Sequence, residues 1–315
     1  MKAFALLSAD EPATIADLPE PDVASDGLLI RVTAASVNGF DIFQASGNLV
    51  RMMEHTFPTV IGRDFSGVVD RVGAEWTDVE VGDEVFGFVR STPPLDVGTF
   101  AEILAEGPRL VVAGKPAGVS FIEAAAIPLA GSTAVDAVEA VDPGIGDTIL
   151  VIGATGGVGL FALQLAAQRG ATVIASAKEG DEAELARALG ASETIDYATT
   201  DAAATVRERY PDGIDAVIDL VDRADTFGRV ADLVRDGGRI ATTLGAADVE
   251  GLAARGVHAT NVAGNPTPEK LDSLIAAVAA GTLRVPIQKT FALDEAAAAL
   301  EAFTAGTLGK IVLVV

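Results

Sequence analysis

The sequence predicts an α/β chain in which a β-rich segment is followed by a doubly wound parallel sheet of the Rossmann kind. Three observations carry that prediction. The first 118 residues are short apolar runs separated by turn glycines and prolines. From Ser120 onward, strand-like and helix-like runs alternate. Between Thr148 and Ser176 a glycine turn joins an apolar strand to a long amphipathic helix and a second strand.

In chain order, the first segment contains LLIRVTAASV, TVIGRDFSGVVDRVG, VEVGDEVFGFV and GTFAEILAE, each bounded by Gly or Asp turns, and it reads as all-β. Ser120 and Glu123 form a capping-box pattern ahead of an Ala-rich helix that Pro128 breaks in two. Strands then follow at 148–152, 172–176, around 194–195, and at 216–219, 239–242 and 258–262, with helices between the first five at about 157–169, 181–189, 201–210 and 224–235. A further helix at about 267–280 precedes VPIQKTFAL and GKIVLVV, which flank the helical run DEAAAALEAFTAG. These last strands fall outside the doubly wound pattern and are assigned to the first domain. The expected organisation is a catalytic domain over 1–120, a dinucleotide domain over 121–264 and a return to the first domain over 265–315.

Half of the 315 residues are hydrophobic, enough for a sizeable core, yet no apolar run approaches the roughly 20 residues of a membrane span. Met1 to Asp10 reads as a strand and not as a signal peptide. The absence of cysteine excludes disulfides, thiolate zinc sites, iron–sulfur clusters and cysteine nucleophiles, and fits a reducing cytoplasm. A formal charge of -23 argues against nucleic acid and anionic membranes as partners. With six lysines among 22 basic residues, the acidic surface suits a salt-rich cytoplasm or a GC-rich genome equally well.

The strongest chemical signal is the turn Ala154, Thr155, Gly156, Gly157, Val158, Gly159. Gly156 lets backbone approach a pyrophosphate, Gly159 lets the helix pack on its strand, and the helix N-terminus offers N–H groups and partial positive charge. No GK[ST] follows, which excludes a P-loop. NAD sites place an acid at the end of the second strand, but here that strand ends Ser176, Ala177, Lys178. A hydroxyl and an ammonium suit the 2′-phosphate of NADPH, although a merely solvated Lys178 is the plainer alternative and Glu179 and Asp181 lie close by.

Together with that turn, SVNGFDIFQASG at 36–47, FPTVIGRDFSGVV at 57–69, VGDEVFGF at 81–88, AAAIPLAGSTA at 124–134, LGASETIDY at 189–197 and the closing GKIVLVV resemble the quinone oxidoreductase, zeta-crystallin-like branch of the medium-chain dehydrogenase/reductases nearly end to end. The resemblance implies a GroES-like catalytic domain, a Rossmann domain, and a homodimer made through the edge of the cofactor sheet. It places Asn38 and Arg63 where zinc-dependent members hold metal ligands, and the four-cysteine zinc lobe is absent. With only His55 and His258 remaining, no metal site is expected. It further implies that Asn38 lines the substrate cleft beside the nicotinamide, while a turn hydrogen bond is the competing role, and that Asp41 and Arg63 pair to close the same cleft. Tyr197 resembles the tyrosine flanking the adenosine phosphate, with a half-exposed aromatic cap as the alternative. Thr133, Leu244, Gly245, Val262 through Asn265, and Lys310 match regions that approach the cofactor.

The implied activity is zinc-independent hydride transfer from NADPH to a small quinone or an α,β-unsaturated carbonyl. The cofactor supplies the chemistry and the protein supplies alignment. An enoyl-thioester reductase, which would need a basic groove, and a noncatalytic NADPH-binding sensor or structural protein are the competing readings.

Overall fold

A computed structural model describes residues 1–315. Along the chain the elements are β1 (Lys2–Leu6), β2 (Thr14–Asp17), β3 (Leu28–Ser36), α1 (Gly39–Ala45), β4 (Thr59–Val60), β5 (Asp64–Val72), β6 (Glu84–Val89), β7 (Ile103–Glu106), β8 (Leu110–Gly114), α2 (Phe121–Ala125) and α3 (Pro128–Val141). They continue as β9 (Thr148–Ile152), α4 (Gly159–Gln168), β10 (Thr172–Ser176), α5 (Asp181–Ala188), β11 (Glu193–Ile195), α6 (Ala202–Arg209), β12 (Ile214–Asp219), α7 (Ala224–Ala231), β13 (Val234–Thr242), α8 (Val249–Ala254) and β14 (His258–Asn261). The chain closes with α9 (Pro268–Ala279), β15 (Ile287–Ala292), α10 (Ala296–Thr304) and β16 (Lys310–Val314).

Two compact units result, one made of residues 1–129 and 266–315 and the other of residues 130–265. The first boundary lies at 129/130 instead of 120/121 because α2 packs with β3 and β5, and Ser66 Oγ donates to the Phe121 carbonyl at 2.6 Å. The capping box is present at Ser120 and Glu123, and Pro128 starts a new helix where the proline predicts a break.

The first unit is β-rich, with a small sheet in the order β2-β1-β4 and a large one in the order β15-β16-β3-β5-β6-β8, to which β7 adds beside β3. β16 lies antiparallel to β3, so the C-terminal strand is hydrogen-bonded into the N-terminal segment, as the pattern of the last strands predicts. The interior is apolar, centred on Phe4, Leu28, Ile30, Phe65, Phe100 and Leu313. An all-β reading of this segment is corrected by α1. Asn38 stands in extended backbone at its N-cap and Asp41 closes a capping box, a local start signal inside SVNGFD that overrides the β texture.

The second unit is a six-stranded, wholly parallel sheet in the order β11-β10-β9-β12-β13-β14. This is the doubly wound order whose switch point falls between β9 and β12. α8 is absent from the sequence reading. Its six residues are too short for a periodic signal, and its Asp248 N-cap is the one local cue. Gly159 permits the close packing of α4 on β9, since a Cβ there would lie 2.0 Å from the Gly153 carbonyl oxygen. A Cβ at Gly228, on the exposed face of α7, would meet nothing within 4 Å.

These two glycines give a paired test by urea unfolding. Gly159→Ala should lose about 1–3 kcal/mol or more through overpacking against fixed backbone. Gly228→Ala should gain about 0.5–1 kcal/mol through helix propensity. Similar effects at both positions would contradict the packing described.

Candidate functional site

Polar side chains gather in the β-rich unit where β3, β5 and β16 meet. Asn38 lies two residues beyond the end of β3. Its Nδ2 donates to Asp64 Oδ2 at 2.8 Å and its Oδ1 accepts from Lys310 Nζ at 2.7 Å. Lys310 also donates to the Val37 carbonyl at 3.2 Å. Asp64 accepts from Ser36 Oγ at 2.9 Å and, through Oδ1, from the Leu129 N–H at 3.0 Å. An ammonium can only donate and a carboxylate can only accept, so the two charged neighbours fix which end of the Asn38 amide is oxygen.

Asp64 is wholly buried and Lys310 is 2% exposed. Burial drives the Asp64 pKa up and the Lys310 pKa down, and in each case the opposite charge across Asn38 counters the shift. Lys310, expected near the cofactor, has Asn38 and Val37 as its partners. Its ammonium is engaged in holding the carboxamide.

The expected pairing of Asp41 with Arg63 does not form, and both side chains are fully buried. Asp41 Oδ2 accepts from the Asn38 N–H at 2.8 Å, which caps α1, and Oδ1 has no partner. Burial pushes the Asp41 pKa up to about 7. Arg63 donates through Nη2 to Gln44 Oε1 at 3.0 Å and through Nη1 to the Val97 carbonyl at 3.1 Å, and it lies 5.2 Å above the Phe40 ring. Burial lowers the Arg63 pKa to about 10. The capping demand of α1 and the Gln44 amide outcompete a direct ion pair. Asn38, 7% exposed, is the one of the three whose side chain reaches the surface of the unit.

The parallel sheet brings the other candidates to its carboxyl edge. The turn after β9 runs through Ala154, Thr155, Gly156, Gly157 and Val158, with the Gly156 N–H bonded to the Gly153 carbonyl at 3.1 Å. The N–H groups of Gly157 and Val158, just before α4, have no acceptor within the chain. Donors of this kind at a switch point fit a pyrophosphate. Ser176 ends β10 and is 5% exposed. Beyond it, Lys178 Nζ lies 5.4 Å over the Tyr197 ring. A cation, a phenol and a hydroxyl with no acid at the strand end fit a 2′-phosphate. Leu244 and Gly245 follow β13 and Val262 follows β14, its N–H donating to Thr242 O at 2.7 Å, so all three share that edge. The Asn265 N–H donates to Asp136 Oδ2 at 3.1 Å, and Thr133 is buried in α3.

Three residues of these clusters escape the sequence reading. Asp64 follows Arg63 in GRDF, and its signal is a carboxylate opening an otherwise apolar strand. Glu182, four residues after Lys178, is paired with it. Asp219, at the end of β12, is buried with Oδ2 unpartnered, and burial raises its pKa to about 6. No group of three or more His, Cys, Asp or Glu side chains is arranged so that it could hold a metal ion.

Comparison with known proteins gives a consistent picture. Residues 24–113 match the alcohol dehydrogenase GroES-like domain model and residues 189–313 match a zinc-binding dehydrogenase model. The chain is 33% identical to the quinone oxidoreductase of Pseudomonas aeruginosa over 94% of its own length and 93% of that protein's. It is 34% identical to the chloroplastic NADPH-dependent alkenal/one oxidoreductase of Arabidopsis thaliana over 74% of its length, but that match spans only 58% of the plant protein. Among solved structures, the quinone oxidoreductase from Coxiella burnetii superposes with a TM-score of 0.89 at 30% identity, over 100% of this chain and 99% of the other.

Asp41 yields a pH prediction. Its pKa in the fold, about 7, is raised above its unfolded value. The stability it contributes is therefore complete below about pH 4 and is lost as pH climbs through about 7. Asp41→Asn keeps the shape of the protonated acid, so it should gain on the wild type between about pH 5 and about pH 8 in urea unfolding. A difference constant with pH would mean that Asp41 titrates as it does in the unfolded chain.

Proposed function

The chain belongs to the medium-chain dehydrogenase/reductase family, and from that membership we propose that it is an NADPH-dependent, zinc-independent reductase of small quinones or α,β-unsaturated carbonyl compounds. The observation that carries the reading is the carboxyl edge of the parallel sheet, where the open N–H groups of 157–158 and the Lys178–Tyr197 pair offer separate donors for a pyrophosphate and a 2′-phosphate. NADPH, when bound, supplies a hydride, and the chain's residues bind and orient. Ser176, Lys178 and Tyr197 hold the 2′-phosphate, the 154–158 turn holds the pyrophosphate, and Thr133, Leu244, Gly245, Val262 and Asn265 line the remainder.

Asn38 is assigned to orienting the acceptor. Lys310 and Asp64 keep its carboxamide in one orientation, which reduces the reorganisation needed to meet charge developing on the acceptor oxygen. Support for zinc-independence is positive in kind. Arg63, at a position where related enzymes keep a metal ligand, is a buried cation, and Asn38, at the other, has its amide oxygen taken by Lys310. A quinone or enone suits such a site, because its conjugation spreads the incoming charge onto oxygen without a metal. The proposal also includes a cytoplasmic location and a homodimer through the outer edge of β14. In support, no helix is long and apolar enough to cross a membrane, and β14 is one of the two edge strands of the parallel sheet, with β13 as its one neighbour.

Calorimetry should find NADPH bound at least about tenfold more tightly than NADH, or about 1.4 kcal/mol. NADPH oxidation should be driven by quinones or enones, with quinol or saturated ketone as product, and should survive exhaustive chelation. Equal cofactor affinities, or turnover that stops with metal removal, would reject the reading.

Asn38→Ala should lower kcat/KM by roughly 5- to 150-fold while NADPH affinity is nearly unchanged. Wild-type rates in a variant that melts normally would make Asn38 a turn residue alone.

A further inference from the structure

Glu182, in the first turn of α5, turns its carboxylate back on the two donors that the proposed function gives to the 2′-phosphate. Its Oε1 lies 3.8 Å from Lys178 Nζ and accepts from the Tyr197 hydroxyl at 3.3 Å. Its Oε2 accepts from the Lys178 N–H at 3.0 Å. The side chain is 20% exposed, far less than the 53% of Lys178, so the carboxylate is the sheltered partner and the ammonium the reachable one. The pKa of Lys178 is raised, first by its contact with Tyr197 and next by the charges around it, Glu182 among them. Burial and the Glu182 charge together raise that of Tyr197.

We propose that Glu182 is a specificity-determining residue that limits the preference for NADPH over NADH by holding Lys178 and Tyr197 against the phosphate they would bind. The proposal rests on the reading of Lys178 and Tyr197 as the 2′-phosphate donors. A phosphate must either take the ammonium away from Glu182 or sit beside a carboxylate, and both routes subtract from NADPH affinity. NADH brings no 2′-phosphate and bears neither cost. The missing acid at the end of β10 is thus replaced by one four residues after Lys178, which neutralises that lysine in place of contacting a ribose.

Glu182→Gln tests this, because the amide keeps an oxygen for the Lys178 N–H while removing the charge. By calorimetry, NADPH and adenosine 2′,5′-bisphosphate should each bind about three- to tenfold more tightly to the variant, with NADH and 5′-AMP unchanged. The gain should shrink with added salt and vanish when Lys178→Met is introduced into both backgrounds. An unchanged NADPH affinity overturns the proposal. So does a wider NADPH-to-NADH ratio produced by weaker NADH binding, which would make Glu182 a ribose acceptor, or a gain that persists with Lys178→Met. Were the Gln variant to melt early, Glu182→Ala should show the same gain with the same nucleotide fragments, and its absence there overturns the proposal equally. The underlying reading stands or falls separately, on the wild-type ratio of NADPH to NADH affinity.

Discussion

An ammonium with 2% exposure cannot persist without partners, and the partners of Lys310 stand at the far end of the chain. Val37 and Asn38 lie more than 270 residues earlier, and the Lys310–Asn38 bond makes sense of the return of the last segment to the first unit. Desolvating an isolated charge costs several kcal/mol, so a chain that buries Lys310 must also bury Asp64 close by and connect the two with polar groups. The Asn38 carboxamide is that connection. Removing any of the three would leave an uncompensated buried group, which makes the arrangement a poor source of net stability but a strong determinant of a single geometry.

The same constraint explains why Asp41 and Arg63 do not meet. α1 opens immediately after Asn38, and its first N–H groups need acceptors that a β-rich surrounding does not provide. Asp41 fills that need on the Asn38 N–H, while Arg63 spreads its charge over Gln44, the Val97 carbonyl and the face of Phe40. Each group keeps an unpartnered atom, Oδ1 in one and Nε in the other. Burial accordingly pushes both toward neutrality, and the capping bond to Asn38 is retained whether or not Asp41 carries a proton.

The parallel sheet was legible from sequence because alternation, strand length and the glycine turn all point the same way, and its strands 148–152 and 172–176 match the structure to the residue. The return of GKIVLVV was legible too, because the last two strand-like runs fall outside the doubly wound pattern. Short elements were not. α1 and α8 have seven and six residues, less than two turns, so their caps are the sole cue. Side-chain pairing was the least legible part. Asn38, Ser176, Lys178 and Tyr197 stand out because motifs name them, but the partner of each is set by strand register and burial. Nothing in GRDFSG says that Asp64 and not Arg63 faces Asn38, until β5 is paired with β3 and Ser36 is seen opposite Asp64.

The acidity of the whole chain bears on how an anionic cofactor is held. At -23, the long-range field of the surface repels a phosphate, and within about a Debye length that repulsion is only partly screened. Affinity must therefore come from donors that act at contact distance: backbone N–H groups before α4, which carry no compensating negative side chain, and a single ammonium stacked on Tyr197. The carboxylates of Glu182 and Asp196 act on Lys178, so its charge is offset at a distance and counts most for a group that touches it. Under these conditions the geometry of the turn and of one lysine decides what binds, and a neighbouring carboxylate as close as Glu182 weighs as heavily on selectivity as the donors themselves.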